Sequence, residues 1–411
     1  MAASLLARIR IPIRWPTVTG VAFACVWALI FCIPWEDEVT VGQGVAISHV
    51  VGAAAFAMGI FDILMTARVR GLHPLHWLFL ILVAWMGITY SWSLEPDLTV
   101  VRITSFAQLL MLVWLLWQFA QRQEQQVSLL GAYVLGCYVS SVSTIYAYIA
   151  GTGLNRGFAD GRYTAVGFDE NELGVTLALG VVMAWYLLIQ RPKAKVLWLL
   201  YIPLGIFAIM LTGSRGAVIS TGVGSLMLPL TFRYYNKRQR WLIATSFVVL
   251  LGVAAAFLPQ SSWERLASID NEVSQGTLSK RTYIWDAGVE VYRQHPVIGV
   301  GAGAFAASVT RRLDVPLVAH NSYLSILVEL GIVGAILFFT LWSSLFLLAF
   351  SMTGLKRRLW TVLMLTWSTA VLSLTWEHRK PTWFLFGLLI AQSATCVQAR
   401  YSGSEPLPVP A

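Results

Sequence analysis

The sequence predicts an all-α polytopic membrane protein, with about twelve transmembrane helices and one long helical loop on the outer face. Three observations carry that expectation. Of 411 residues, 57% are hydrophobic and only 12% charged, about half the charged share of a globular chain, and the mean hydropathy is +0.68. Apolar runs of about twenty residues, the length that crosses a bilayer as a helix, recur along the whole chain. The basic residues are unevenly placed: most of the 29 Lys and Arg fall in alternate short loops, as the positive-inside rule requires. The net charge of +9 therefore reads as a topology signal, and no nucleic-acid partner is expected.

Arg8, Arg10 and Arg14 precede an apolar run at about 17–34. No small-residue cleavage site stands before Trp35-Glu36-Asp37-Glu38, so this run reads as an uncleaved first span starting in the cytoplasm rather than as a signal peptide. Further spans are expected at about 44–66, 75–92, 98–119, 127–149, 172–190, 196–213, 217–232, 241–258, 321–350, 359–376 and 381–398, the outer part of 321–350 reading as a buried half-helix. Alternation puts both termini in the cytoplasm. The chain then divides into helices 1–9 (residues 1–258), an outer loop with amphipathic helices (259–320), helices 10–12 (321–398) and a cytoplasmic tail (399–411). Cys25, Cys32, Cys137 and Cys396 fall inside apolar runs without paired spacing and read as buried small hydrophobes. Glu36, Asp37 and Glu38 read as solvated loop charges.

The candidate chemistry lies on the outer face. Arg215 sits in Gly213-Ser214-Arg215-Gly216, a tight turn between two apolar runs. The turn either holds a guanidinium just above the hydrocarbon for a ligand, or only lets an arginine snorkel at a helix end. Arg156 and Arg162 lie in the glycine-rich outer loop before the sixth span. There Asn171 is placed either to cap the helix or to touch a ligand. The acids at 169, 170 and 172 read as partners of the helix dipole rather than as metal ligands.

In the long loop, Arg281, Trp285, Gly288 and Tyr292 recur at one-face helical spacing. That face belongs either to a helix lying on the membrane or to a site. Pro296 ends the helix. Gly299, Gly301 and Gly303 then form either an anion nest or a close-packing device. His320 is the sharpest candidate: it titrates near neutrality, stands beside Asn321, and opens an apolar helix at the bilayer surface. Arg311 and Arg312 lie just upstream, and arginines bind phosphate oxygens in bidentate fashion. A base among arginines suits attack by a hydroxyl on a sugar whose leaving group is a lipid diphosphate. Glu329, deeper in the same span, is ionisable and needs a partner; Asp62 is comparable but near the cytoplasmic side.

These residues together resemble the bacterial O-antigen ligase family, which shares a signature domain with O-antigen polymerases. The resemblance rests on Gly213-Ser214-Arg215-Gly216, on Arg281 with Trp285, on His295-Pro296 followed by the Gly299, Gly301, Gly303 series, on His320-Asn321-Ser322-Tyr323-Leu324, and on Glu329-Leu330-Gly331. The loop from Arg162 through Gly167 to Asn171 is also similar, so that residues of about 155–355 are covered. The resemblance implies a C-type glycosyltransferase fold in the bacterial inner membrane, with a helical periplasmic loop over the site. It also implies transfer of polysaccharide from undecaprenyl diphosphate to a sugar hydroxyl of lipid A–core, giving lipopolysaccharide with inversion at the anomeric carbon. His320 would be the general base, with Arg215 and Arg281 on the diphosphate. Charge and position add Arg156, Arg162, Arg311 and Arg312, with Asn321, Trp285 and Tyr292, as substrate contacts. Membrane lipids are the remaining partners, and neither a metal nor another cofactor is expected.

Polymerases and protein-glycosylating members of the family share the donor motifs and stay open as alternatives. A transporter or lipid flippase is the rival from another class. It is disfavoured because transporters place binding residues at the midplane between repeats, whereas these candidates cluster at one face and no repeat is visible.

Overall fold

The computed structural model describes residues 17–41, 44–152, 161–268 and 281–401. Among them the chain is helical apart from a small hairpin, Thr40–Val41 (β1) against Val45–Ala46 (β2). The first seven helices are α1 (Val18–Cys32), α2 (Ile47–Thr66), α3 (Pro74–Ile88), α4 (Pro96–Phe119), α5 (Gln123–Ile149), α6 (Glu170–Gln190) and α7 (Lys195–Leu211). Two short helices follow, α8 (Arg215–Gly224) and α9 (Met227–Thr231), and then α10 (Lys237–Phe257). The segment between α10 and the next long helix holds α11 (Gln260–Ala267), α12 (Arg281–Gln294) and α13 (Phe305–Leu313). The last three are α14 (Ser322–Ser351), α15 (Gly354–Ala370) and α16 (Lys380–Tyr401).

Among the described residues, seven helices are long and apolar enough to cross a membrane: α1 and α3, each with a short 3-10 extension, and α2, α4, α5, α6 and α14. The chain is thus an all-α polytopic membrane protein, as expected. α7 is a shorter apolar helix, and α10, α15 and α16 lie over other expected spans. The expected span at 217–232 is not one helix. α8 ends at Gly224 and α9 begins at Met227, because Gly222 and Gly224 favour helix weakly and Pro229 has no N–H to continue the ladder.

α6 is the axis of the bundle. It is buried without interruption from Leu173 to Leu187 and packs against α5, α7, α8 and α15. Its sequence is apolar on every side, which only a helix surrounded by neighbours tolerates in a protein interior.

α14 is broken at Gly331, where φ is 65° and ψ is −169°. A straight helix would bond the Ile332 and Val333 amides to the Val328 and Glu329 carbonyls. Here Ile332 and Val333 donate to Pro296 and Val297, while Val300 and Gly301 donate to Val328 and Glu329. The loop after α12 therefore satisfies the backbone groups that the kink releases. The approach is so close that a Cβ on Gly331 would stand 2.2 Å from the Val297 carbonyl oxygen. Ser322–Leu330 is the half-helix expected at the outer part of this span.

The loop helices carry their own small core. Ile284 and Ala287 of α12 pack with Phe305, Val309 and Leu313 of α13 and with Val328 of α14. The apolar face of α12 is thus turned onto the protein.

Candidate functional site

The Gly-Ser-Arg-Gly turn is explained residue by residue. Gly213 takes a positive φ of 58°, a conformation that costs a side-chain-bearing residue about 1–2 kcal/mol. Ser214 caps α8 by accepting from the Ala217 amide, and Gly216 lies where a Cβ would meet Ser373 Oγ at 2.3 Å. Arg215, the first residue of α8, is thereby fixed at one end of the bundle. α11 closes over the turn: Arg215 Nη1 donates to Ser268 Oγ at 3.0 Å, and Arg265 Nε to the Gly213 carbonyl at 3.4 Å.

Arg162 is buried beside this turn. It donates through Nε to the Thr212 carbonyl at 2.8 Å and through Nη2 to Asn171 Oδ1 at 3.1 Å, and its Nη1 lies 3.5 Å from Glu170. Asn171 Oδ1 also accepts from Ser214 Oγ at 2.9 Å. Asn171 is therefore not the cap of α6. Asp169 is, accepting at Oδ1 from the Asn171 and Glu172 amides. Its extended backbone and short charged side chain suit the helix start. Arg156 lies outside the described residues.

Arg281 opens α12. Burial pushes its guanidinium below its ordinary pKa, and the charges of Arg215 and Arg162 push in the same direction. Arg162 is likewise lowered, by burial first, against the opposing pull of Glu170 and Asp169. Arg162, Arg215 and Arg281 are thus close enough to feel one another's charge and form one cationic group.

His320 lies close enough to Arg281 and Asp169 to feel their charges. Burial lowers its pKa from 6.5, Arg281 lowers it further, and Asp169 opposes. The imidazole is therefore neutral at pH 7, the state a proton acceptor needs. Its backbone is held in the left-handed region at φ 45°, a conformation uncommon outside glycine and tolerated best by Asn, Asp and His. Both flanks pin it. Trp285 Nε1 donates to the Ala319 carbonyl at 2.9 Å, and Asn321 caps α14 by accepting from the Leu324 amide at 3.0 Å.

The other expected contacts divide. Trp285 works through that backbone bond, and Asn321 is used as the cap of α14. Tyr292 is half-buried against the loop core, and Arg311 and Arg312 are exposed on the last turn of α13. Of the two readings of the glycine series, close packing is the one realised. The amides of Gly299, Gly301 and Gly303 are engaged by the His295 carbonyl, the Glu329 carbonyl and the Glu329 carboxylate. Glu329 finds its partners there too: Gly303, Ser325 at 3.2 Å and Arg102 at 3.9 Å. Asp62 accepts from Thr19 Oγ1 at 2.6 Å and is buried between helices.

The loop after α1 is a correction. Glu36 is buried, bonded by Ser48 and paired with Lys380 at 2.7 Å, so it is no solvated loop charge. Burial raises Asp37, which Arg379 and Lys380 pull back down, and burial raises Glu38 as well. A cation-bearing turn folded onto the loop explains why it is not solvated. That turn, Glu377-His378-Arg379-Lys380, went unnoticed in the sequence. Its signal was four adjacent ionisable residues between two apolar runs. Arg379 pairs with Glu172 in the first turn of α6 at 2.5 Å, next to Asn171. Glu377 lies 3.7 Å from Arg102. Burial opposes ionisation of Glu377, but His378 and Arg102 hold its carboxyl well below the usual range.

Residues 200–339 match the family model described as O-antigen ligase. The matched stretch starts in α7 and ends in α14, so it contains Arg215, Arg281 and His320 and leaves Arg162 outside. A curated relative, the exopolysaccharide production protein ExoQ of Rhizobium meliloti (strain 1021), is 25% identical over 217 residues, 48% of this chain and 49% of the relative. The chain thus spans about half the length of that relative. Residues 200–339 are thus similar to the O-antigen ligase family, and the apolar helices make the chain a multi-pass membrane protein.

Proposed function

We propose that the protein is an O-antigen ligase: a glycosyltransferase that moves a polysaccharide from undecaprenyl diphosphate to a sugar hydroxyl of lipid A–core on the periplasmic face of the inner membrane. The observation that carries this is the grouping of Arg162, Arg215 and Arg281 with a neutral His320. Few reactions need a clustered positive charge beside an uncharged imidazole. Glycosyl transfer from a lipid diphosphate is one.

In this reading His320 takes the proton of the acceptor hydroxyl, and the oxygen attacks the anomeric carbon. The bond from that carbon to the diphosphate breaks, and the electron pair leaves on the phosphate oxygen. Arg215 and Arg281 neutralise the charge that grows there, a task often given to a divalent cation. A single displacement inverts the configuration. Arg162 is tied to Thr212, Asn171 and Glu170, so its contribution is to position the turn and to add field. Arg311, Arg312 and Tyr292, exposed or set in the loop core, suit contacts to the saccharide better than contacts to the diphosphate.

A second reading is favoured by one observation, the relative whose name assigns it to exopolysaccharide production. There the acceptor is the sugar end of another lipid-linked chain, and the same residues make a polymerase. Reconstitution of the purified protein with lipid-linked saccharide, offered either lipid A–core or a second lipid-linked chain, tests both readings. Growth of lipid A–core alone supports the ligase, growth of the lipid-linked chain supports the polymerase, and transfer to neither rejects both.

A further inference from the structure

The end of the bundle opposite the arginine turn carries charges that the reaction above does not use. α6 starts beside Arg162 and runs 21 residues, about 30 Å of helix, to Gln190 at that far end. There Trp185 donates Nε1 to Thr231 Oγ1 at 2.8 Å and meets the Tyr235 ring edge-on at 5.6 Å. The connection from α9 to α10 is thereby folded onto α6. The connection from α14 to α15 lies next to it, since α15 packs against α9.

These two connections are rich in cations and hold no acid. Four Lys or Arg fall between residues 233 and 240, and Lys356, Arg357 and Arg358 open α15. Neither 227–247 nor 350–370 contains Asp or Glu. Arg358 and Arg233 share one ring: their guanidinium carbons stand 5.4 and 5.3 Å from the centroid of Tyr234. Arg240 lies over Phe232 at 4.5 Å and donates its Nε to the Tyr235 carbonyl at 2.9 Å. Lys356 Nζ has a thiol for a partner, Cys396 Sγ at 3.6 Å. Arg358 Nη1, Thr361 Oγ1 on the same helix face, and the Tyr235 hydroxyl are buried with no partner among the described residues.

A topology signal needs only that cations stay on one side of the membrane. It does not need guanidinium groups from two connections on one aromatic ring. Nor does it need donors buried without an acceptor, an arrangement that costs free energy until an acceptor arrives. That acceptor is anionic, because like charges gathered without a carboxylate repel one another. It is also amphipathic. Phe232, Tyr234 and Trp241 are exposed among the cations, as aromatic residues are at the level of lipid headgroups. Leu230, Leu347 and Phe350 are exposed just inside them, on the side of the hydrocarbon.

We propose that this end of the bundle binds the headgroup of an anionic phospholipid. The phosphate sits between the two connections, where Tyr234 holds Arg233 and Arg358, and the acyl chains lie along the exposed apolar residues. The lipid ties together the ends of two segments whose opposite ends carry Arg215 and His320. The site does not depend on the reaction proposed above.

The test uses the full chain in phosphatidylcholine nanodiscs containing a little phosphatidylglycerol with a photoreactive headgroup, the labelled peptides being mapped by mass spectrometry. Labels are expected on residues 232–241 and 353–361. Unlabelled phosphatidylglycerol should remove them, whereas phosphatidylcholine and inorganic phosphate should not. Arg233→Gln combined with Arg358→Gln should weaken labelling by about tenfold or more, since each cation beside an anionic lipid contributes about fivefold. Arg238→Gln, at an exposed position, removes a charge without disturbing the packing and should weaken it by about fivefold. Lys193→Gln, in the neighbouring connection from α6 to α7, should leave it unchanged. An equal loss in Lys193→Gln, or labels spread evenly over all the basic connections, would reduce the site to a diffuse surface field and overturn it. Removal of the labels by phosphatidylcholine or by inorganic phosphate as effective as by phosphatidylglycerol would overturn the anionic lipid as the ligand.

Discussion

Replacing His320 with asparagine removes the proposed base while sparing the fold. The residue sits at φ 45°, where an alanine would cost about 1–2 kcal/mol of backbone strain and where asparagine is among the least penalised residues. The neighbouring anchors, Trp285 Nε1 on the Ala319 carbonyl and the Asn321 cap, do not involve the imidazole. His320→Asn should therefore keep the thermal stability of the wild type, and His320→Ala should lose some of it. Removing a general base costs about 10²–10⁴-fold in rate, or roughly 3–5 kcal/mol in the barrier. The assay is transfer of polysaccharide from purified undecaprenyl-diphosphate donor in proteoliposomes, with melting of each variant followed in parallel. A stable asparagine variant that retains activity within about tenfold of the wild type would refute the base assignment. Equal melting of the alanine and asparagine variants would refute the strain argument.

Arg215→Lys keeps the charge but loses the fork that grips a phosphate with two parallel bonds, so transfer should fall by about tenfold or more; wild-type activity would reduce Arg215 to a snorkelling residue. Transfer should persist in a chelator, and a loss that magnesium restores would move the chemistry to the acids of the outer loops. Gly331→Ala puts a Cβ 2.2 Å from the Val297 carbonyl oxygen at a φ of 65°. It should destabilise the protein by roughly 2–5 kcal/mol, read as a lower melting temperature and poorer yield; unchanged melting would mean that the loop after α12 does not depend on the kink.

The helical architecture was legible because hydropathy and charge asymmetry act locally, run by run. The run at 172–190 was expected as a span, and the outer part of 321–350 as a buried half-helix. The motif residues were legible one at a time, but their roles depend on contacts between distant segments. Asn171 looked like a cap until Asp169, two residues earlier, took that place. Glycines at 299, 301 and 303 looked equally like a nest, and only the approach of α14 shows that their amides are engaged. Glu36 looked solvated because its partner, Lys380, is 344 positions away. Arg379 was hidden for the same reason. Buried ion pairs that link first and last loops leave no pattern in the neighbouring residues.

The account turns on a neutral imidazole placed against a cationic group, and the pH dependence of kcat/KM for transfer tests that most directly. A base acts only when deprotonated, so the rate should be level at neutral pH and fall as pH drops through the lowered pKa of His320, below 6.5. Arg281→Gln removes one of the causes of that lowering, so its acidic limb should move to higher pH. A limb that stays in place in Arg281→Gln, or a wild-type rate with no proton-dependent fall below pH 6.5, would contradict the arrangement.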